Sequence, residues 1–162
     1  MKNRKIYYDI YSDFYSVNKY RELKSMVHHG NNRLDHINRV AKMSYNMSKL
    51  FGLDYISTTR GALMHDFFLN KELSDLSSKR FKIHPQKAYE NSKKYFKVNE
   101  LEKNIILSHM YPITKELPKY KESYIVSISD KIVSIYEFGR FQIKYTTALI
   151  LIFCVETFNN LL

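Results

Sequence analysis

Apolar residues recur at helical spacing along most of this chain. From Leu34 to Phe51 the set Leu34, Ile37, Val40, Ala41, Met47 and Leu50 keeps a three-to-four-residue period, and Gly52 stands where such a helix stops. His28-His29-Gly30-Asn31-Asn32 interrupts the pattern just before it and supplies capping residues. Asp54 is an N-cap candidate for a second helix through Ile56, Ala62, Leu63 and Phe67. Asn70 to Ile83 is polar and predicts a loop; Pro85 then suits the first turn of a helix running to Phe96. Asn99 caps the next, Leu101 to His109. Tyr111 to Lys119, with Pro112 and Pro118, reads as a loop, and two further helices are expected at Ile125–Phe138 and Lys144–Asn160. Ahead of all these, the segment to Met26 predicts one or two short helices. No alternating stretch bounded by turn signals predicts a sheet, so the expected class is all-α, with six to eight helices.

Several polar residues interrupt the faces that should form the core. His36 shares a face with Val40 and Met43, Asp66 with Ala62, Leu63 and Leu69, and Asp130 with Val126 and Val133, while His109 follows Ile105 and Ile106. A buried, isolated carboxylate is costly enough to take up a proton sooner than stay charged. Singly, each residue has an ordinary explanation as a hydrogen-bonded core histidine or an ion-pair partner. Together they need partners, and a divalent metal answers that need: imidazole and carboxylate suit iron, manganese, zinc, nickel or cobalt, and the absence of thiolate disfavours copper(I) and iron–sulfur clusters.

Composition narrows the rest. At 162 residues the chain has room for one domain, and 44% hydrophobic with 26% charged residues excludes a disordered polymer. A single cysteine, Cys154, excludes an intrachain disulfide and a cysteine zinc finger. The basic start lacks an apolar signal-peptide core, and the longest apolar run, Ala148 to Val155, is too short to span a bilayer and predicts a buried helix. The expected compartment is therefore the cytoplasm, with no membrane partner. A net charge of +10 favours anionic ligands, but no helix-turn-helix, zinc-finger or aromatic RNA-binding signature accompanies it, so nucleic acid is not expected.

The order His36, His65-Asp66, His84, His109, Asp130 resembles the HD-domain phosphohydrolase superfamily. Local context extends the likeness: Gly61-Ala62-Leu63-Met64 approaching the His-Asp pair, His84-Pro85-Gln86-Lys87-Ala88, and Ser129-Asp130-Lys131-Ile132. The run from His29-Gly30 to His36, followed by Arg39-Val40-Ala41, is similar to small single-domain bacterial members. The likeness covers about Val27 to Glu137. It departs from the common pattern at Phe67-Phe68 after the pair and at His109-Met110, where many relatives carry two histidines.

The resemblance implies a compact helical bundle with a metal site between central helices. It divides the single domain (1–162) into an N-terminal extension (1–27), a metal-binding core (28–137) and a C-terminal packing helix (138–162). His36, His65, Asp66 and Asp130 would hold a first ion, and Asp66 would bridge to a second held by His84 and His109. The expected cofactor is a pair of divalent ions, iron or manganese before magnesium, nickel, cobalt or zinc. The implied reaction is hydrolysis of a phosphomonoester, phosphodiester or nucleotide by metal-activated water. His65 and Asp66 would be central to catalysis, with His29 as a proton donor and Lys131 beside the site. Arg33, Lys87 and Lys131 are the phosphate-binding candidates. Two other readings stay open: a di-iron oxygenase of the same fold, and a non-catalytic module binding anions or nucleic acid. The tyrosine-rich segment Tyr7, Tyr8, Tyr11, Phe14 and Tyr15 is expected to pack on its own core, a homodimer being the other arrangement.

Overall fold

The computed structural model describes residues 2–28, 31–73 and 80–159. Among these the chain forms seven α-helices: α1 (Lys2–Tyr15), α2 (Asn18–Arg21), α3 (Arg33–Leu50), α4 (Tyr55–Met64), α5 (Arg80–Tyr95), α6 (Glu100–Ser108) and α7 (Lys121–Asn159). The class is all-α. The extended structure among the described residues is a two-residue pairing, β1 (Val27–His28) against antiparallel β2 (Asn31–Asn32), which leads into α3.

Local chemistry sets the helix starts. The Asn32 side chain accepts from the Asp35 backbone N–H at 2.8 Å, and the Asp54 carboxylate accepts from Ile56 and Ser57 at 3.1 and 3.0 Å. Asn99 and Glu102 form a reciprocal capping box at α6. Each satisfies backbone donors that the first turn leaves orphaned.

The structure departs from the sequence expectation in four places. Helix α4 stops at Met64 instead of running through Phe67; His65 and Asp66 form a turn, with the Phe67 N–H on Met64 O at 3.1 Å and the Phe68 N–H on Asp66 O at 2.8 Å. Helix α5 already begins at Arg80, inside the expected loop. Pro85 therefore lies within it and removes one helical hydrogen bond where a first-turn proline would remove none. Gly139 does not divide the C-terminal region: Lys121–Asn159 is one helix, not two with a break. The paired residues around Gly30 are the fourth.

Helices α3 and α4 form the centre, with α7 and α6 packed against them. The N-terminal segment joins this core: Phe14, Tyr20 and Leu23 are fully buried, Phe14 lies 4.4 Å from the Phe96 ring and Tyr20 5.3 Å from Phe67. The Tyr20 hydroxyl donates to Leu63 O at 2.8 Å, tying the extension to the end of α4. No helix among the described residues is long and apolar enough to cross a membrane.

Gly61 lets α4 and α6 approach closely enough to bring His65 and His109 together. A Cβ there would stand 2.8 Å from Ile105 Cδ1 and 2.9 Å from Cγ2. Gly61→Ala would gain about 1 kcal/mol of helix propensity against an overpacking cost of about 1–3 kcal/mol. A lower urea midpoint is expected; a raised one would mean that Ile105 moves aside without cost and the propensity gain stands alone.

Candidate metal centre

Two histidines reach the interior by the same device. His65 is the C-cap of α4 and its Nδ1 lies 2.7 Å from Ala62 O; His109 is the C-cap of α6 and its Nδ1 lies 2.7 Å from Ile106 O. A helix end leaves such carbonyls unpaired, and a carbonyl only accepts, so each Nδ1 carries the proton. Both Nε2 atoms are thereby left unprotonated and turned inward, His109 Nε2 against His84 Nε2 at 2.9 Å. This explains why α4 must stop at Met64: the turn that follows swings the Asp66 carboxylate round to the same space.

His36 stands in the middle of α3, where its own helix uses the nearby carbonyls. Its Nδ1 is instead met by Glu137 Oε2 at 3.0 Å, and its Nε2 lies 3.1 Å from Asp130 Oδ1. Both carboxylates come from α7, two helical turns apart on one face. Glu137 is also bonded by Arg39 Nη1 at 2.5 Å. Sequence reading did not single out Glu137. The available signal was its seven-residue spacing from Asp130, with Val133 between them on the buried face.

The donors fall into two sets joined by one residue. His36, His65 and Asp66 place ligand atoms within 4.8 Å of one another, and so do Asp66, His84 and His109; all are buried. His84 Nε2 lies 2.9 Å from His109 Nε2 and 3.3 Å from Asp66 Oδ1, and His109 Nε2 is 3.8 Å from that same oxygen. Asp130 Oδ1 is 3.8 Å from His65 Nε2. Ligands about 2.1 Å from one ion and roughly 90–110° apart lie about 3.0–3.4 Å from each other, so these separations suit divalent ions with little movement. The donor chemistry fits as well: His65 Nε2 is buried and has no hydrogen-bond partner in the protein, a cost that an ion would remove.

Electrostatics prepares the set. Burial is the largest influence on His109 and, with His65 and His84 alongside, lowers its pKa to about 3, leaving a neutral ligand at ordinary pH. For His36 burial pulls downward, but hydrogen bonds to Asp130 and Glu137 outweigh it and raise its pKa to about 9. Burial pushes Asp130 up, yet the His36 hydrogen bond and the surrounding histidines hold it well below the usual carboxylate range. Glu137 is likewise lowered, by His36 and Arg39 against the opposing effect of burial. Small exposures remain at Asp130, His84 and Asp66, while His36 and His65 have none, so solvent reaches the cluster from the α5–α7 side.

The remaining sequence candidates lie nearby in different roles. Arg33 is buried, donating from Nη1 to Phe68 O at 2.6 Å and from Nη2 to Asn70 Oδ1 at 3.0 Å, with its guanidinium 3.8 Å over the Phe68 ring. That ring in turn lies 5.3 Å from His84. Lys131 Nζ donates to Ser127 Oγ at 2.7 Å and to His109 O at 3.2 Å, and burial lowers its pKa. Lys87 stays near the surface, 3.4 Å from Glu90. His29 lies outside the described residues.

Because Glu137 fixes the proton of His36 on Nδ1, Glu137→Gln is expected to weaken metal binding by about 10–100-fold. Titration of metal into metal-free protein measures this. Unchanged affinity would mean that Asp130 alone orients the ring.

No family model, curated protein or solved structure matches this chain.

Proposed function

We propose that this chain is a metal-dependent phosphohydrolase of the HD type, acting on a phosphorylated small molecule or nucleotide in the cytoplasm. The observation that carries the reading is Asp66: one buried carboxylate common to two sets of histidine donors, His36 and His65 on one side and His84 and His109 on the other. Asp130 completes the first set. Divalent ions held there would lower the pKa of a bound water and neutralise a phosphoryl group.

The protein's own residues supply the arrangement. His65 and His109 present lone pairs from fixed rings, so little reorganisation accompanies binding. The Lys131 ammonium is committed to the backbone of His109 and of Ser127, so its part is to hold the last turn of α6 in place. The Phe68 ring separates Arg33 from His84, giving the open side an apolar wall with positive charge behind it. Lys87, one turn after His84 and half-buried beside Glu90, is the cation best sited to meet an approaching phosphate.

The test is metal content per chain by elemental mass spectrometry on untagged protein prepared without chelator or oxygen, followed by a phosphate-release screen with the metal found. About two equivalents of iron or manganese and metal-dependent release support the proposal. Oxygen uptake without phosphate release would move the chemistry to a di-iron oxygenase. A protein that is metal-free and refuses added metal overturns both.

A further inference from the structure

A second site lies between α1 and α3, away from the histidine cluster. It is a pocket of about 230 Å³ lined by Tyr7, Tyr8, Tyr11, Asn38, Arg39 and Lys42. Three aromatic rings from one helix face an amide and two cations from another. We propose that this pocket binds a mononucleotide-sized ligand: a planar ring carrying an anionic group.

Each part of the lining has a matching function. Tyr7 and Tyr8 stand edge to face at 5.7 Å; Tyr7 is buried and backs the site, and the half-exposed Tyr8 ring is the face open to a ligand. Aromatic faces of this kind hold a planar base with little sequence preference, because every base has a π-face. Tyr7 is fixed by its hydroxyl, which donates to Asn38 O at 3.1 Å. Asn38 Oδ1 is buried with no hydrogen-bond partner, which leaves an acceptor for a ligand N–H or O–H.

Arg39 supplies the anion contact. Its Nη1 is held by the buried Glu137 carboxylate, which fixes the plane of the guanidinium. Nε and Nη2 donate to no group in the protein among the described residues, and the side chain is partly exposed. A planar fork, oriented from one side and open on the other, suits bidentate contact with phosphate. Lys42, one turn before Tyr45 on the same helix, is exposed and makes no ion pair among the described residues. The neighbouring carboxylates are already engaged: Asp35 by the Asn32 amide at 2.8 Å, Glu137 by Arg39 and His36. Arg39 bonds Glu137, which meets the Nδ1 of His36, whereas Asp130 lies on its Nε2 side, and none of the candidate metal donors lines the pocket. It is therefore a ligand site separate from the one proposed for hydrolysis, and it does not depend on that reading.

The test uses metal-free protein, so that hydrolysis and metal-bridged binding are absent. Adenosine 5′-monophosphate, adenosine and inorganic phosphate are each titrated by calorimetry. The nucleotide is expected to bind at least about tenfold more tightly than either fragment, since ring and charge are held at different places. Lys42→Ala is expected to weaken the nucleotide about tenfold without affecting adenosine, and Tyr8→Ala to weaken both. Asp66→Ala should leave all three unchanged. Absence of nucleotide binding at millimolar concentration overturns the proposal. So does wild-type binding by both Lys42→Ala and Tyr8→Ala, or loss of binding in Asp66→Ala, which would place the ligand at the histidine cluster.

Discussion

Asp66→Ala is expected to keep its helical fold and lose metal from both donor sets, with phosphoester turnover falling by a thousandfold or more. Loss of one preorganised electrostatic contact already costs about 10²–10³ in rate, and this change would remove the carboxylate common to both donor sets at once. Asp130 cannot substitute, because among the described residues the histidines within 4 Å of it are His36 and His65, at 3.1 and 3.8 Å, both of the first set. The fold should survive: Asp66 lies in the turn after α4 and supports no helix interior. Far-UV circular dichroism and elemental analysis, read together, check both halves. A variant that still carries two equivalents of metal would sink the shared-carboxylate arrangement. Asp66→Asn is the useful companion, since it keeps the shape and one oxygen but removes the charge.

Metal binding should be strongly pH-dependent, and His36 sets the direction. In metal-free protein His36 has a pKa raised to about 9, so at pH 7 it must give up about one proton to become a ligand. His109, lowered to about 3, has none to release, and Asp130 is already ionised. Apparent affinity should therefore rise roughly tenfold per pH unit to about pH 9 and then level off. Stability of the metal-free protein runs the other way. The folded pKa of His36 lies above the unfolded value of about 6.5, so its contribution is complete below that pH and is lost as pH rises through 9. Melting temperatures with and without metal should thus diverge on going from pH 6.5 to 9. Calorimetry in two buffers of different ionisation enthalpy counts the protons; no release at pH 7 would contradict the His36 geometry.

Much of this architecture was legible in the chain where local chemistry decides it. Asn32, Asp54 and Asn99 each mark a helix start by a side chain that reaches its own backbone, and all three do so in the structure. What was not legible is where tertiary packing overrides local signals. Phe67, Phe68 and Leu69 are all buried, so a turn enclosed on every side imitates a continuing apolar helix face. Two helices were expected at Ile125–Phe138 and Lys144–Asn160, yet the backbone stays helical through Gly139 and the stretch between them. Of the site, His36, Asp66, His109 and Asp130 were apparent from their apolar faces and His65 and His84 from the ordered pattern of histidines and aspartates, and the structure brings all six together. Glu137 was not, because its seven-residue spacing from Asp130 gains meaning only once its partner His36, 101 residues away, is known. Arg33 and Lys131 were read as phosphate-binding candidates beside the site; their burial and backbone partners show that composition cannot tell a structural cation from a binding one.

The continuity of α7 also orders events in time. This helix follows the other six in the chain and carries both Asp130 and Glu137 on one rod. During synthesis, when domains emerge from the N-terminus onward, His36, His65, Asp66, His84 and His109 are all made before either α7 carboxylate exists. An early ion would meet an incomplete first set, with His36 lacking both of its partners. Docking of α7 on α3 supplies the two together, so completion of the first set coincides with completion of the fold. Metal capture at that position would therefore report that assembly of the bundle has finished.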